Sequence, residues 1–450
     1  MFKSLLKTAL IVLHLSFSQM ASAAIAITND DSGTINPIIY GAKPNDSVDD
    51  SEAFQKCLDE AKKRRGSKLV VPPGEYIIAK ELRINETENL VIEGAGALLK
   101  KTEGNGINIL YGNYNKQITI RDLSFEGGRT NNFKEQWPQK MNACAILGRS
   151  SGIRFENCVV KNFHYGVCLG TSTDNGYDVW VINCQFFNCN SDIDLYGKPS
   201  LHIVGNVSHG CTGHSIQIEP PYKRDDSFQD YTEQPQIDAL SVGNIVSENV
   251  IVGCKGIGII VFGGSENISI INNQIINYGM SGFLIHTGVK NIQIKGNIIS
   301  NSLYLKNNDR PWKDSGAGIV VLNARNALVE GNIISHPNTG IYVSGTSGAI
   351  ISNNKIDNAK DAGICLYDAN ICTLNGNAIG DFNLNKSWWA NSGIVLNNSR
   401  EISIYSTTIK DSNNNNYSVY SSNSENVIIK DLTGIGYKTS ITYPATLFAK

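Results

Sequence analysis

The sequence predicts an all-β chain wound as a single-stranded parallel β-helix, in which every coil contributes one short strand to each of three faces. Three observations support this prediction. A strand beginning with Gly-Ile or Gly-Phe recurs, a segment Asn-x-Ile lies between its copies, and a third apolar alternation precedes that segment, as in Ile268-Ser269-Ile270. Self-similarity at a short, regular period indicates a solenoid, because each repeat buries its apolar face against its neighbours. The repeating Asn residues are Asn249, Asn273, Asn297, Asn332, Asn354 and Asn377.

The repeating strand sets the direction of its side chains. Because side chains alternate across a strand, Ile341 and Val343 are predicted to point into the coil, and Tyr342 and Ser344 to point outward. The recurring Asn occupies one turn on successive coils, where stacked amides would hydrogen-bond with neighbours ~4.8 Å above and below. The copies of the strand begin at Gly256, Gly282, Gly318, Gly340, Gly363 and Gly393.

The ten cysteines are interpreted mostly as apolar core residues. Cys158 and Cys184 fall in the position that the recurring Asn holds in later coils. Export would permit disulfides, but a chain of this length does not need a disulfide framework. Their pairing stays open at this point.

The first residues resemble a secretory signal. Lys3 and Lys7 supply positive charge, an apolar stretch runs from Ala9 to Phe17, and Ala21-Ser22-Ala23 offers a cleavage site. Residues 1–23 are therefore predicted to be a signal peptide, and the mature protein to be secreted or periplasmic. The apolar run is short for a membrane span, so no membrane insertion is expected after cleavage; an uncleaved anchor is the alternative.

The composition excludes several classes of protein. The chain has 450 residues, a formal net charge of -2 and only 18% charged residues. It lacks the basic excess that counterion release from nucleic acid requires, so no nucleic-acid partner is expected. Low charge with abundant β-branched residues also argues against disorder and against a coiled coil. The oligomeric state stays open.

The chain is expected to begin its solenoid under a helix. Asp50-Ser51 precedes an amphipathic run that ends at Gly66, and a helix there would cover the open end of the first coil. We therefore assign residues 24–100 to an N-terminal cap with the first coils, and 101–450 to the β-helix, ending in irregular coils. The apolar face of the helix is formed by Ala53, Phe54, Cys57, Leu58 and Ala61.

This N-terminal region resembles the entry motif of the pectate-lyase-like superfamily, which includes polygalacturonases and phage tailspike depolymerases. The matching segments are Tyr40–Lys43, Asp49–Gln55 and Val70–Tyr76, within residues 38–100. The resemblance implies a right-handed parallel β-helix and, for most members, activity on polysaccharides. It is specific for the fold and not for the reaction. The Asp49-Asp50 pair belongs to the helix start and is interpreted as structural.

Long connections flank the face that carries the Gly-Ile strands. They lie at Glu126–Asn142, Ser302–Ser315 and Gly380–Ser392 before that strand, and at Pro220–Gln236 after it. Aromatic rings on loops beside a groove suit the apolar faces of sugars; each ring alone is as well explained by packing of its loop. The aromatic residues are Phe133, Trp137, Tyr222, Phe228, Tyr231, Tyr304, Trp312, Trp388 and Trp389.

Two adjacent coils place polar side chains on the same face. In the first, Asp192, Asp194 and Tyr196 are predicted to point outward, with Lys198 following. In the second, which opens with Gly213-His214-Ser215, the outward residues are Ser215, Gln217 and Glu219. His286 lies two coils further on, also outward.

These residues fit a glycoside hydrolase. Asp194 and Glu219 should lie one coil and one two-residue step apart, about 8 Å, within the ~6.5–9.5 Å of an inverting acid and base. Glu219 is expected to be the acid with a raised pKa, Asp192 or Asp194 the base, and His214 to orient a carboxylate or bind substrate. The substrate is expected to be an acidic polysaccharide. Substrate-binding candidates are Gln217, Tyr196, Tyr222, Arg224, His286, Trp312 and Trp137.

Two other classes stay open. In a polysaccharide lyase or uronate epimerase, Asp192, Asp194 and Glu219 could ligate Ca²⁺, with Lys198, Arg224 or Tyr222 as base; otherwise no cofactor or metal is expected. A glycan-binding β-helix without catalysis is the third class. The polygalacturonase resemblance matches Gly213-His214-Ser215 in position, with Ser for the final Gly. Its adjacent Asp pair would align to Asn190-Ser191 or to the displaced Asp192 and Asp194, whereas its Asn-Thr-Asp and Arg-Ile-Lys motifs have no convincing counterpart.

Overall fold

The computed structural model describes residues 33–102, 108–129, 142–169, 178–196, 200–219, 243–303, 316–384, 392–412, 417–435 and 447–449. These residues form one continuous stack of coils. The predicted signal peptide, residues 1–23, lies outside the described residues. Strand Ala97–Lys101 crosses the expected boundary at residue 100, so the first coils continue directly into the rest of the stack. In the described part of the chain, no helix is long and apolar enough to cross a membrane.

The predicted parallel β-helix is confirmed. Between Lys68 and Ser422, every coil contributes one strand to sheet 1, one to sheet 2 and one to sheet 3, in that order, and successive coils pair in parallel. The described residues give sheets of 16, 14 and 13 strands, respectively.

The strand boundaries follow the repeat of the sequence. Sheet 1 consists of Thr34–Ile35, Lys68–Val70, Glu88–Glu93, Lys116–Arg121, Ser151–Glu156, Val179–Ile182, Leu201–Val204, Asn244–Ser247, Glu266–Ile271, Lys290–Lys295, Leu328–Glu330, Ile350–Ser352, Asn370–Asn375, Arg400–Tyr405, Glu425–Lys430 and Leu447–Ala449. Sheet 2 consists of Gly74–Ile78, Ala97–Lys101, Ser124–Glu126, Val159–Lys161, Gln185–Phe187, Val207–His209, Val250–Val252, Gln274–Tyr278, Ile298–Ser302, Ile333–Ser335, Lys355–Asp357, Ala378–Gly380, Thr408–Lys410 and Thr433–Ile435. Sheet 3 consists of Leu82–Arg83, Leu110–Asn113, Ala143–Gly148, Tyr165–Leu169, Ser191–Tyr196, His214–Glu219, Ile257–Val261, Ser281–Ile285, Ala317–Leu322, Ile341–Ser344, Ile364–Tyr367, Ser392–Asn397 and Tyr417–Ser422.

The N-terminal end carries the predicted helix, α1, at Ser51–Lys63, after a short 3₁₀ helix at Pro37–Tyr40. Its five predicted apolar residues are all buried. The Asp49-Asp50 pair is structural: Asp49 accepts hydrogen bonds from the backbone of Ser51 and Ala79, and Asp50 accepts one from Lys43. These bonds tie the start of α1 to the first coil.

The core is a set of aliphatic columns running along the axis of the stack. Ile341 and Val343 are completely buried in it, as the alternation predicts, while Tyr342 belongs to a separate apolar cluster on the outer face of sheet 3. Burial of apolar surface between successive coils supplies the main driving force for this fold.

A buried ladder of Asn side chains lines the turn between sheets 1 and 2. The Nδ2 of Asn297 donates to Asn332 Oδ1 at 2.9 Å and to the backbone oxygen of Ile270 at 3.0 Å. Its Oδ1 accepts from the backbone nitrogen of Asn273 at 2.8 Å. Each amide thus satisfies backbone groups that the turn leaves unpaired, which a buried turn requires. Asn206 Oδ1, in the same ladder, accepts a hydrogen bond from the backbone nitrogen of Cys184. Cys184 therefore holds the equivalent position one coil earlier, as predicted.

A second use of Asn explains its abundance on the surface. Many exposed corners adopt the left-handed conformation, for example Asn183, Asn272 and Asn353, with φ of 53°, 55° and 55°. Asn tolerates this conformation better than other residues with a side chain. Corner geometry and the interior ladder therefore select the same amino acid for different reasons.

The cysteines lie mostly in the core, as interpreted. Eight form no disulfide, and of these only Cys168 is partly exposed. Cys211 and Cys254, on adjacent coils, form a disulfide with a Cα–Cα distance of 4.6 Å. This bond brackets the connection that follows strand His214–Glu219.

Replacing Asn297 by Ala tests the interior ladder. The variant removes the partners of buried backbone groups and breaks the stack at its middle, so we expect a loss of about 2–4 kcal/mol in the free energy of unfolding. Urea denaturation would measure it. The matched control is Gln293→Ala, an exposed residue of the same coil, which should change stability by less than about 0.5 kcal/mol. Equal effects of both substitutions would contradict a stabilising role for the ladder.

Candidate active site on sheet 3

The register of sheet 3 brings the predicted polar residues onto neighbouring coils. Asp194 pairs with Cys168 on the preceding coil and with Gln217 on the following one, and Tyr196 pairs with Glu219. Asp194 and Glu219 therefore lie one coil and one two-residue step apart, as the alternation predicts. This offset corresponds to about 8 Å in a regular ladder.

Asp194 is buried on this outer face, with 1% of its surface exposed. Burial raises its pKa well above the usual range, the charge of Glu219 and then that of Asp192 raise it further, and a hydrogen bond to Ser191 offsets only part of the effect. Neither carboxyl oxygen meets a well-aligned donor among the described residues. Burial and the neighbouring carboxylates therefore favour the protonated form of Asp194.

Glu219 is more accessible and has a hydrogen-bond donor. It is half-buried, and burial raises its pKa to about 7. Gln217 Nε2 donates to Glu219 Oε1 at 2.7 Å. This bond favours the carboxylate form of Glu219. The two carboxyl groups therefore differ in environment: one is buried without an aligned donor, and the other has an amide partner.

Asp192 does not share this face, and its predicted outward orientation is wrong. Its Oδ2 accepts a hydrogen bond from the hydroxyl of Ser208, a sheet 2 residue paired with the core residues Phe186 and Ile251. Asp192 points to the inside of the coil, and burial raises its pKa to about 7, although Ser208, Ser215 and Arg129 act in the opposite direction.

The reason is a break in the alternation at the start of each sheet 3 strand. Asp192 occupies the position held by Gly166 on the preceding coil, and Ser215 the position held by Gly258 on the coil after its own. A Cβ on Gly166 would lie 2.8 Å from the core ring of Phe186, and one on Gly258 would lie 2.6 Å from Ile275 Cδ1. This position therefore faces inward, next to the inward residue that follows it. Ser215, predicted to point outward, is likewise 1% exposed.

His214 lies at the start of the second polar strand and pairs with Ile257. Burial lowers its pKa, so the imidazole is neutral at neutral pH. Its Nδ1 is buried and has no hydrogen-bond partner among the described residues. A neutral imidazole can accept or donate a proton but contributes no charge to the site.

Two residues near the pair were not identified from the sequence. Tyr165 and Cys168 lie on the preceding coil; burial raises the pKa of each, and the charges of Asp194 and Glu219 raise it further. Both groups therefore stay protonated at neutral pH. The apolar run Tyr165–Leu169 contains no charged residue, so its sequence does not indicate a functional site. Aligning it with the strand that contains Asp194 would have identified Cys168 as a neighbour.

His286 lies where it was predicted, two coils beyond Glu219 on the same edge of the sheet. The intervening residue is Phe262, whose ring centroid lies 5.5 Å from that of His286. Beyond it the outer face becomes apolar, with a buried cluster that includes Val320, Tyr342 and Val395. The polar site is therefore confined to the coils before residue 290.

Several predicted residues lie outside the described residues, namely Lys198, Tyr222, Arg224, Trp312 and Trp137. For Tyr196 the structure describes the strand but not the side chain. Their roles in substrate binding or catalysis stay predictions. The connections that carry them join sheet 2 to sheet 3 or sheet 3 to sheet 1, and therefore begin or end at the edges of the candidate face.

The expected Ca²⁺ ligand set of Asp192, Asp194 and Glu219 does not meet at one point, because Asp192 lies on the other side of the strand. Within the described ranges, no group of three or more His, Cys, Asp or Glu side chains could hold a metal ion.

Comparison with known proteins defines the class of the chain. A stack of parallel coils capped by a helix is the architecture of right-handed β-helix proteins of the pectate-lyase-like superfamily. The chain belongs to this superfamily: the family model described as "Right handed beta helix region" matches residues 105–299, 237–381 and 300–433. A second model, described as "Rhamnogalacturonase A/epimerase, pectate lyase-like", matches residues 35–139. No curated protein matches the sequence.

Solved structures share the fold at low identity. The mannuronan C-5 epimerase AlgE6 A-module of Azotobacter vinelandii has a TM-score of 0.54 at 18% identity, covering 89% of this chain and 99% of that one. Tailspike protein 3 of bacteriophage CBA120 has a TM-score of 0.53 at 12% identity, covering 92% and 61%. Gene product 12 of bacteriophage phi29 has a TM-score of 0.50 at 17% identity, covering 89% and 52%.

The buried Asp192 predicts an unusual pH dependence of stability. The folded state binds its proton more tightly than the unfolded chain, because the pKa rises from 3.8 to about 7. Its contribution to stability is therefore fully present below the unfolded pKa and is lost as the pH rises toward 7. Asp192→Asn should gain stability relative to the natural protein from pH 4 to pH 8, by up to roughly 4 kcal/mol.

Urea denaturation at pH 4 and pH 8 checks this expectation. Asp431→Asn, at an exposed corner, is the control and should show no such difference between the two pH values. An Asp192→Asn variant that is equally destabilised at both pH values would show that the native state holds this carboxylate ionised.

Proposed function

We propose that this protein is a polysaccharide-cleaving enzyme, a glycoside hydrolase that uses Asp194 and Glu219 as its acid–base pair. The observation that carries the proposal is the pairing of two carboxyl groups with raised pKa values on adjacent coils of one face. Their ladder offset of about 8 Å suits an inverting hydrolysis, in which a water molecule lies between base and sugar.

The environments of the two groups support an assignment of roles. Asp194, buried without an aligned donor, is held protonated and would give its proton to the leaving oxygen. Glu219, half-buried and bonded to Gln217, is the better base for the attacking water. This assignment reverses the sequence-based expectation, which made Glu219 the acid.

The charge on the strands favours hydrolysis over elimination. The strands of sheet 3 from Ala143–Gly148 to Tyr417–Ser422 contain three ionised or ionisable carboxyl groups and no Lys or Arg. Elimination beside a uronate needs a positive charge to neutralise its carboxylate, whereas water activation needs only the pair. On the outer face the carboxylate of Glu219 would repel an anionic sugar, which favours a neutral glycan over the acidic one expected from the sequence.

A lyase or epimerase is the second candidate. It is supported by the match of residues 35–139 to a model that includes epimerases, and by the fold shared with a mannuronan C-5 epimerase. In that case the base would come from Lys198, Tyr222 or Arg224, as the sequence analysis expects. The predicted signal peptide supports a secreted or periplasmic location for the enzyme.

Conservative substitution of the pair tests the proposal. Asp194→Asn and Glu219→Gln should each lower kcat/KM by about 10²–10⁴-fold, because each removes one proton-transfer group while keeping the side-chain shape. The assay is release of reducing ends from a panel of neutral and acidic glycans, with and without chelator. Proton NMR of the first product should show inversion of the anomeric configuration.

The matched control is Glu425→Gln, an exposed carboxylate on sheet 1, which should leave activity unchanged. Absorbance from an unsaturated uronate, or activity lost with chelator, would identify the protein as a lyase and not as a hydrolase. Full glycan binding without any turnover in the natural protein, and unchanged binding in both carboxyl variants, would support the non-catalytic class instead.

The hydrogen bond from Gln217 to Glu219 predicts how kcat/KM depends on pH. Activity requires ionised Glu219 and protonated Asp194, so kcat/KM should rise as the pH passes through about 7, the pKa of Glu219. Gln217→Leu removes a donor to the carboxylate, which raises the pKa of Glu219 and should move this rising limb to higher pH by about one unit.

The profile of kcat/KM between pH 4 and pH 9 measures this effect. Gln274→Leu, on the outer face of sheet 2, is the control and should keep the natural profile. A rising limb that stays in place in Gln217→Leu would show that Glu219 is not the group that must ionise.

A further inference from the structure

One arginine connects the turns that lead into both strands of the candidate site. Arg129 follows strand Ser124–Glu126 of sheet 2, and its backbone nitrogen donates to the oxygen of Asn162 on the next coil at 3.0 Å. Its side chain reaches further along the stack. Nη1 donates to the backbone oxygen of Asn188 at 2.8 Å, and Nη2 donates to Thr212 Oγ1 at 2.7 Å.

The two acceptors lie on consecutive coils, directly before the strands of the site. Asn188 lies in the turn that enters Ser191–Tyr196, and Thr212 lies in the turn that enters His214–Glu219. The Thr212 hydroxyl in turn donates to Asn190 Oδ1 at 3.0 Å. A single guanidinium therefore joins both turns.

We propose that Arg129 is a positioning residue for the Asp194–Glu219 pair, which it holds in register by bridging the turn at Asn188 and the hydroxyl of Thr212. The inference rests on the proposed function, since it concerns the geometry of that pair. Arg129 touches neither carboxyl group of the pair, and acts through the two turns.

The geometry of the side chain explains why an arginine is needed here. A guanidinium presents several N–H groups in a fixed plane, so it can hold two acceptors on different coils at once. The ammonium of a lysine is a point donor at the end of a flexible stem, and cannot fix two such acceptors in one plane. The positive charge of Arg129 also acts on the carboxyl group of Asp192, in the strand that follows Asn188, and works to lower its pKa.

Conservative variants separate positioning from simple stability. Arg129→Lys should lower kcat by about 10- to 100-fold with KM changed by less than about twofold, since a misplacement near 1 Å costs about this much in rate. Thr212→Val, which removes the acceptor while keeping the shape, should lower kcat by about tenfold. Thr212→Ser restores the hydroxyl and should recover the natural kcat.

A double variant tests whether the two residues act as one bridge. Arg129→Lys combined with Thr212→Val should lower kcat by less than the two single losses together, because either substitution alone already removes the bond between the two residues. The matched control is Arg121→Lys; Arg121 bonds Glu93 across a coil on sheet 1, away from the site. It should leave kcat unchanged.

Three results would overturn the inference: a natural kcat in Arg129→Lys, additive losses in the double variant, or a loss of activity that only follows the loss of folded protein, measured as the fraction folded by circular dichroism. Asp194→Asn is assayed in parallel. If it keeps full activity, the proposed function fails; if it is inactive while Arg129→Lys is fully active, only the role of Arg129 fails.

Discussion

The structure depends on the register between successive coils. Parallel ladders place residue upon residue at a spacing of ~4.8 Å, so each position in the repeat becomes a column along the molecule. The interior Asn ladder and the aliphatic columns hold this register from two sides, one by hydrogen bonds and the other by packing. Any function on the surface must be built from the columns that this register creates.

The candidate site follows from that constraint. One outward column runs through Cys168, Asp194, Gln217 and Ile260, and only two consecutive coils of it carry hydrogen-bonding side chains of the acidic or amide type. Because adjacent coils are close, the charge of Glu219 raises the pKa of Asp194 beyond the effect of burial. The fold therefore converts a short polar stretch of sequence into a pair of groups with different proton affinities.

Much of this arrangement could be predicted from the sequence, because aligning the repeats with one another gives the register between successive coils. The position of Asn297 in the ladder, of Cys184 in the same turn, and of Asp194 opposite Gln217 all follow from aligning the repeats. Strict alternation failed at Asp192, because the strand begins with two successive inward positions and the first is usually glycine. Because Gly166 and Gly258 have no side chain, the hydrophobic pattern of the sequence does not show that this position faces inward. Arg129 could not be found either, since its bonds join residues 59 and 83 positions away in irregular turns.

The inward position of Asp192 also shows that the coils of the candidate site bury polar groups where other coils bury apolar ones. Elsewhere glycine lets the core isoleucine or phenylalanine of sheet 2 pack against the strand, whereas here Asp192, Ser208 and Ser215 bring polar groups into the same corner. A buried carboxyl group stabilises the fold only when it is protonated or well bonded. At this corner polar groups therefore take the place of part of the apolar packing between coils. The bridge of Arg129 adds hydrogen bonds to the turns of the same coils, so hydrogen bonds help to hold the register there.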